Sequence, residues 1–302
     1  MTQPKCRFCK APSKNQSVRG EFVYEGNEEH KFWHCEKCDL VYIWPVPSVE
    51  AEERFYAGEF EKYMEKRSGK DRDWSGPEEH IKTNHDNVVR RWKFLEDYIK
   101  KGQDVLEIGC SSGFMLDAFR DAGLNPVGVD PSGGFEGFLE KKGHTVFKSL
   151  NELEKNYNQK FDLICHFFLL EHIRDTVNFI QQQLDLLNPD GVIIAEVPCV
   201  NDPLTSLFEI PAFEKFYWSI VHHYYFSPKS ISKILDSIDC RYKIVPEQRY
   251  DLSNHLVWMQ KGVPGGQGRY SHIFSQSTLE SYRNDLIKSW NCDTFFLFIN
   301  KK

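Results

Sequence analysis

Asp104-Val-Leu-Glu-Ile-Gly-Cys-Ser-Ser-Gly-Phe114 is a short apolar run that breaks into a glycine-bearing turn and resumes with a helical pattern. Strand, turn and helix in that order open a βα unit. Gly109 and Gly113 let the backbone approach a ligand closely, and the helix start offers free N–H groups. Such a turn lies at the carboxyl end of a parallel strand, where open α/β sheets bind their ligands. A dinucleotide would want Gly-x-Gly-x-x-Gly to seat a pyrophosphate. Here the pattern is Glu107-x-Gly109-x-x-x-Gly113, and a carboxylate before the turn repels phosphate. It suits a ligand carrying an ammonium and a sulfonium. The next strand ends in Val127-Gly-Val-Asp130, an acid placed to accept hydrogen bonds from both hydroxyls of a ribose. The expected ligand has a ribose and a cationic end, but no phosphate.

Outward from this turn the rhythm of strand, turn and helix repeats. Strands are expected at 104–108, 126–129, 145–147, 161–165 and 192–197, with helices at about 114–122, 135–142, 150–156 and 175–187. That alternation predicts an α/β doubly wound domain, a parallel sheet with right-handed crossovers covered on both faces. After Pro198 comes an aromatic-rich stretch from Phe208 to Phe226. A helix at 230–238, a strand at 241–248, a Gly/Pro-rich loop at 262–268, a helix near 278–289 and a final apolar run at 294–299 follow. Upstream, 48–101 carries a charged, helix-favouring pattern interrupted at Gly69 and Gly76-Pro77, with one amphipathic helix over 79–100. Residues 1–45 differ again. Alternating segments at 21–24 and 40–44 predict small strands, closed by Pro45 and Pro47. The chain thus divides into a small segment (1–45), a helical linker or cap (46–101) and the α/β domain (102–302), whose insertions near 199–227 and 250–291 are expected to form the substrate pocket.

The small segment holds Cys6-x-x-Cys9 and Cys35-x-x-Cys38. Each pair presents two thiolates from one tight turn, and two such turns complete a closed tetrahedral site of the kind that suits structural zinc. A segment this short also needs a metal to fold, because its core is small. His34, next to a ligand, reads as a charged or solvated neighbour. The remaining five of the nine cysteines show no ligand spacing and read as buried thiols. A net charge of −6 argues against nucleic acid as a partner. No apolar stretch approaches the roughly 18 residues of a membrane span, and the start lacks the apolar core of a signal peptide. No membrane insertion and a cytoplasmic location are expected.

With these residues in view, the chain resembles the class I S-adenosylmethionine-dependent methyltransferases over roughly residues 80–300. The resemblance rests on VLEIGCSSG, on VGVDP, on Phe161-Asp-Leu-Ile-Cys165 through Leu170-Glu171-His172, and on Leu187-Asn-Pro-Asp-Gly191 with the following strand. It implies a Rossmann-like methyltransferase domain. It also implies that Glu107, Gly109, Cys110, Ser111 and Gly113 surround the methionine part of the cofactor. Asp130 would hold the ribose with Pro131 beside it, and His166 would contact cofactor or incoming substrate. The contact to the adenine edge, expected near Lys148-Ser149, stays open. The N-terminal cysteine pairs are similar to those of zinc-containing methyltransferases of deoxysugar and surface-polysaccharide pathways, in which a motif E-H-x-x-Y-F-S follows the fifth strand. Here that stretch reads Val221-His222-His223-Tyr224-Tyr225-Phe226-Ser227, with the acid replaced by Val221.

A hydroxyl acceptor needs a base with a pKa near neutrality, which makes histidine the natural candidate. His222 and His223 lie in the aromatic insertion, and His172 follows the fourth strand. His222 is placed first as general base, and the surrounding aromatics are expected to form a stacking pocket. A small or glycan-linked acceptor is expected, first a nucleotide-sugar or polysaccharide intermediate methylated on O or N ahead of C. A quinone-precursor or other phenol is the alternative. A non-catalytic zinc and cofactor-binding protein and a nicotinamide-dependent sugar enzyme are the remaining readings.

Overall fold

A computed structural model of the 302-residue chain describes residues 3–59, 62–63, 66–67 and 76–302; the expected interruption at Gly69 lies outside them. Three short strands, β1 (Gln16–Gly20), β2 (Lys31–Cys35) and β3 (Val41–Trp44), pair antiparallel in the N-terminal segment. The α/β part supplies β4 (Asp104–Ile108), β5 (Asn125–Val129), β6 (Thr145–Phe147), β7 (Phe161–Phe167) and β8 (Leu187–Pro198). After them come β9 (Tyr224–Tyr225), β10 (Cys240–Glu247) and β11 (Thr294–Lys301). The large sheet has seven strands in the order β10-β11-β8-β7-β4-β5-β6.

The five strands β4 to β8 are parallel, as the alternation predicts. The sheet as a whole is mixed, which corrects the expectation of a purely parallel one. Glu247 at the end of β10 pairs with Thr294 at the start of β11. The intervening chain therefore leaves and re-enters at the same edge, and β11 must run antiparallel. Side chains along each strand alternate between two cores. Leu106, Ile108, Ile164 and Ile193 join one, while Val105, Leu163, Cys165 and Ile194 join the other. Leu106, Ile164 and Ile193 have no exposed surface, and each contributes on the order of 2 kcal/mol relative to exposure.

Several local expectations fail for local reasons. The single helix over 79–100 is two, Pro77–Thr83 and His85–Leu95. Asn84 donates its side-chain amide to the His80 carbonyl at 2.8 Å and so competes with the helix ladder. The strand at 21–24 is absent. Tyr24 makes only an isolated bridge to Ser219, and β1 forms earlier, from a polar sequence with no alternation. A helix at Leu252–Lys261, capped by the Asp251 side chain, was not expected inside the second insertion.

The aromatic stretch is the largest difference. Phe213, Tyr217, Trp218 and Tyr225 are buried in a cluster with Phe32, Val41 and Ile43 of the N-terminal sheet. β9 pairs with β3, so the insertion after β8 becomes the fourth strand of that small sheet. These rings pack two parts of the chain together and are not free to stack on a ligand. No helix among the described residues is long and apolar enough to cross a membrane.

Candidate active site

The glycine turn folds as its sequence requires. Gly109 and Gly113 both take positive φ, +80° and +77°, where a side chain is strained. The backbone N–H groups of Gly109 and Cys110 donate to the Val129 carbonyl, tying the turn to the end of β5. The Ser111 N–H donates to Asp130 Oδ2 at 2.7 Å, and the Ser132 N–H to Oδ1 at 3.0 Å. The Ser132 hydroxyl also donates to Oδ1, so both carboxylate oxygens are held in place and Oδ2 keeps a lone pair for a further donor. Pro131 is exposed beside them.

Glu107 is 2% exposed, and its Oε2 has no hydrogen-bond partner. Burial pushes its carboxyl well above the usual range, while Arg91 pulls it the other way. Arg91 is itself buried, donates to Glu196 Oε2 at 3.1 Å and stacks 4.2 Å over Phe167. Arg90 closes on the same carboxylate at 2.7 Å. Burial raises the Glu196 carboxyl, but the two arginines outweigh it and leave the pKa lowered. A hollow beside Asp130 is lined by Phe135, Leu139, Val146 and Phe147, with Lys148 at its edge.

This set fits S-adenosylmethionine. An orphaned buried carboxylate oxygen, a turn open to close approach and a carboxylate just past β5 suit an ammonium, a sulfonium and a ribose. His80 joins them unforeseen. It is buried, bonds Ser112 Oγ at 2.7 Å and lies 5.8 Å from the Phe114 and Phe135 rings. Its only sequence signal is a helix face that repeats polar residues at His80, Asn84 and Arg91.

Two of the cofactor candidates point away. Cys110 packs its thiol into the core with Leu116 and Leu139. A Cβ built on Gly128 would lie 2.6 Å from that sulfur. Only the Cys110 backbone belongs to the turn. His166 shares the β7 face of Ile164, opposite Glu107, and its ring lies 5.5 Å from Phe179. Burial lowers its pKa to about 3.

The loop after β7 lies against the turn, with Leu169 Cδ1 3.7 Å from where a Gly109 Cβ would sit. It carries Glu171 and His172. Potential ligand atoms of Glu171, His172 and His222 all fall within 4.8 Å of one another, and the His172 and His222 rings are 4.7 Å apart. Glu171 Oε2 and His222 Nδ1 are buried without partners. Burial raises the Glu171 carboxyl to about 8 and lowers His172 to about 4, the latter with help from Arg67. His222 is also driven well below the usual range, by burial first and then by His172. All three groups are uncharged near neutrality.

His223 is differently placed. Its Nδ1 meets Arg7 Nη1 at 3.2 Å and its Nε2 meets Glu52 Oε1 at 2.9 Å. Both nitrogens are engaged, which leaves none to take a proton from an acceptor. Residues upstream of the α/β domain reach the cluster: Tyr56 bonds His172 Nδ1 at 2.9 Å, and Glu52 also holds Arg174 at 2.6 Å. Arg7, Glu52 and Tyr56 lie far from the glycine turn in sequence, and although Arg7 sits inside the first cysteine pair, nothing in that motif points to the histidines.

In the N-terminal segment Cys6 Sγ lies 3.5 Å from Cys38 Sγ, and Cys9 Sγ 3.6 Å from Cys35 Sγ. A tetrahedral zinc with about 2.3 Å bonds needs sulfurs about 3.8 Å apart, so the quartet fits one ion. The two turns are alike. Lys10 and Asp39, each following the second cysteine of a pair, both have positive φ. His34 stands aside and pairs with Asp39 at 3.0 Å.

Comparison with known proteins gives a concordant picture. A family described as a methyltransferase domain matches residues 80–243, more than half of the chain. The ubiquinone biosynthesis O-methyltransferase of Actinobacillus pleuropneumoniae is 32% identical over 114 residues, 32% of this chain and 49% of that protein. The enzyme of the same name from Coxiella burnetii is 32% identical over 129 residues, 39% of this chain and 54% of that one. The chain spans about half the length of these curated relatives. A solved SAM-dependent methyltransferase from Archaeoglobus fulgidus is 20% identical, covering 72% of this chain and 94% of its own, with a TM-score of 0.46.

Proposed function

The chain belongs to the methyltransferase domain family; from that premise we propose that it is an S-adenosylmethionine-dependent enzyme that methylates a hydroxyl of a small acceptor held at Glu171, His172 and His222. The observation that carries this reading is the convergence of those three groups, two of them on the loop whose Leu169 lies against the glycine turn. Bound there, the cofactor supplies an electrophilic methyl group. Everything else falls to the chain. Glu107, the Gly109–Gly113 turn and Asp130 position the ligand, and such positioning supplies most of the rate in an in-line displacement. His222 takes the acceptor proton on its unpartnered Nδ1; burial holds the ring's pKa well below neutrality, which works against a general base unless a negative charge forms beside it. Glu171, neutral while the imidazoles are neutral, ionises more readily once a positive charge forms beside it. His172 is oriented by Tyr56 and faces His222.

Two acceptor classes have specific support. The paired cysteines and the His222…Tyr225-Phe226-Ser227 stretch favour a sugar or glycan-linked acceptor, such as a nucleotide-sugar. The names of the relatives favour a phenol. S-adenosylhomocysteine release measured across nucleotide-sugars, catechols and simple amines decides between them. Turnover of a hydroxyl compound supports the proposal, whereas turnover confined to amines overturns it. In this reading one structural zinc sits on Cys6, Cys9, Cys35 and Cys38 and takes no part in the chemistry, since all four positions are filled by protein.

A further inference from the structure

We propose that Arg7 is a positioning residue that couples the four-cysteine site to the histidines of the acceptor site. This rests on the reading of Glu171, His172 and His222 as that site. Arg7 lies inside the first cysteine turn, between Cys6 and Cys9, where its backbone has little freedom. The Cys6 N–H donates to the Ala11 carbonyl, and the Lys10 N–H to the Cys6 carbonyl. From that anchor its guanidinium crosses to the insertion after β8. Nη1 donates to both His223 Nδ1 and the His223 carbonyl, each at 3.2 Å, and the group lies 4.5 Å over the Tyr224 ring.

A guanidinium only donates, so His223 Nδ1 must be the accepting nitrogen. The ring proton is then on Nε2, where it donates to Glu52 Oε1 at 2.9 Å. One cation thus selects one tautomer and one ring orientation. The backbone is held equally firmly. The His223 carbonyl also accepts the Ile43 N–H from β3, and the His223 N–H donates to the Glu171 carbonyl at 2.7 Å. His222 precedes this clamped peptide, so its approach to His172 is set by it.

The second cysteine turn grips the same insertion. Asp39, directly after Cys38, accepts from the Ser227 hydroxyl, the residue that caps the helix Pro228–Leu235. Lys233 of that helix donates to the Lys37 carbonyl between Cys35 and Cys38. Both turns that would grip the ion therefore hold the insertion carrying His222 and His223 or the helix that follows it, and among the described residues neither hydrogen-bonds to the Glu107–Asp130 cradle. The consequence is a division of labour: the ion organises acceptor chemistry and leaves cofactor binding alone.

Arg7→Ala and Arg7→Lys test this in the full zinc-loaded chain. The readouts are the histidine tautomers by nitrogen-15 NMR, S-adenosylhomocysteine affinity, and kcat with whichever hydroxyl compound the acceptor panel identifies. Wild type should show His223 as the Nε2–H tautomer, neutral down to about pH 5. Arg7→Ala should let the Nδ1–H tautomer appear, raise the ring's pKa part of the way while burial still holds it low, and shift the His222 resonances. It should also lower kcat at least tenfold with zinc content and S-adenosylhomocysteine affinity unchanged, and Arg7→Lys should restore part of each effect. Chelating zinc from wild type should reproduce the Arg7→Ala spectrum, and chelation of Arg7→Ala should add little. A wild-type tautomer pattern and full kcat in Arg7→Ala would overturn the coupling. Losses from chelation and substitution that multiply as independent effects would overturn it too. A silent His222→Ala would instead remove the acceptor-site reading, whatever Arg7 does.

Discussion

Glu171 is 1% exposed, with one carboxylate oxygen unpartnered and a pKa raised from 4.5 to about 8. A carboxyl whose pKa rises on folding holds its proton in the folded chain after the unfolded chain has lost it. Stability from this group therefore falls as pH climbs through that window, and the loss is complete above about 8. Glu171→Gln removes the penalty. Its Tm relative to wild type should climb steadily between about pH 5 and about pH 8, checked by calorimetry across pH; a constant difference would mean the carboxyl is already ionised. At the same scale, His222→Ala should cost roughly a hundredfold or more in turnover and leave cofactor affinity nearly intact. His223→Ala should act more weakly, through loss of its Arg7 and Glu52 contacts. The glycine turn at 109–113, with Glu107 before it and Asp130 bonded to it, was legible in the sequence because the motif is local. His166 was misread because only strand register reveals which face it takes. Glu171 stood inside a quoted motif, but its burial beside two histidines comes from a partner some fifty residues on.

Gly113 caps the helix Phe114–Asp121 with φ +77°, and a Cβ there would lie 2.4 Å from Leu139 Cδ2. Gly113→Ala should destabilise the chain by about 1–3 kcal/mol and weaken cofactor binding as the turn shifts. Gly137, within the helix Glu136–Lys141, meets nothing within 4 Å and has no positive φ. Gly137→Ala should stabilise by up to about 1 kcal/mol. Thermal melts of the two variants should move in opposite directions, and parallel shifts would refute this account of the turn. Strands β4 to β8 and their helices were readable from periodicity to within a few residues. β1 was not, since Gln16-Ser-Val-Arg-Gly20 carries no alternation and is fixed by pairing with β2. The direction of β11 was equally hidden, because it depends on where the chain from β10 returns.

Across the whole molecule, the N-terminal sheet and the insertion after β8 are one structure, joined by β3–β9 pairing and a shared aromatic core. Composition divides the chain at residue 45, but packing crosses that line, and sequence patterns do not report packing between distant segments. A Cys6→Ser/Cys9→Ser double variant should lose its zinc and expose residues 199–227 to limited proteolysis, while the α/β sheet still binds S-adenosylhomocysteine. Protection of that stretch in the zinc-free protein would contradict the shared architecture. The central claim is that cofactor binding and acceptor chemistry occupy neighbouring but separate residue sets at the carboxyl ends of the parallel strands. It is tested most directly by calorimetric titration of S-adenosylhomocysteine into wild type, Asp130→Ala and His222→Ala. Loss of charge-assisted bonds to the ribose should cost Asp130→Ala about 2 kcal/mol, or roughly thirtyfold in Kd, with His222→Ala matching wild type. An unchanged Kd in a folded Asp130→Ala, or a large loss in His222→Ala, would contradict it.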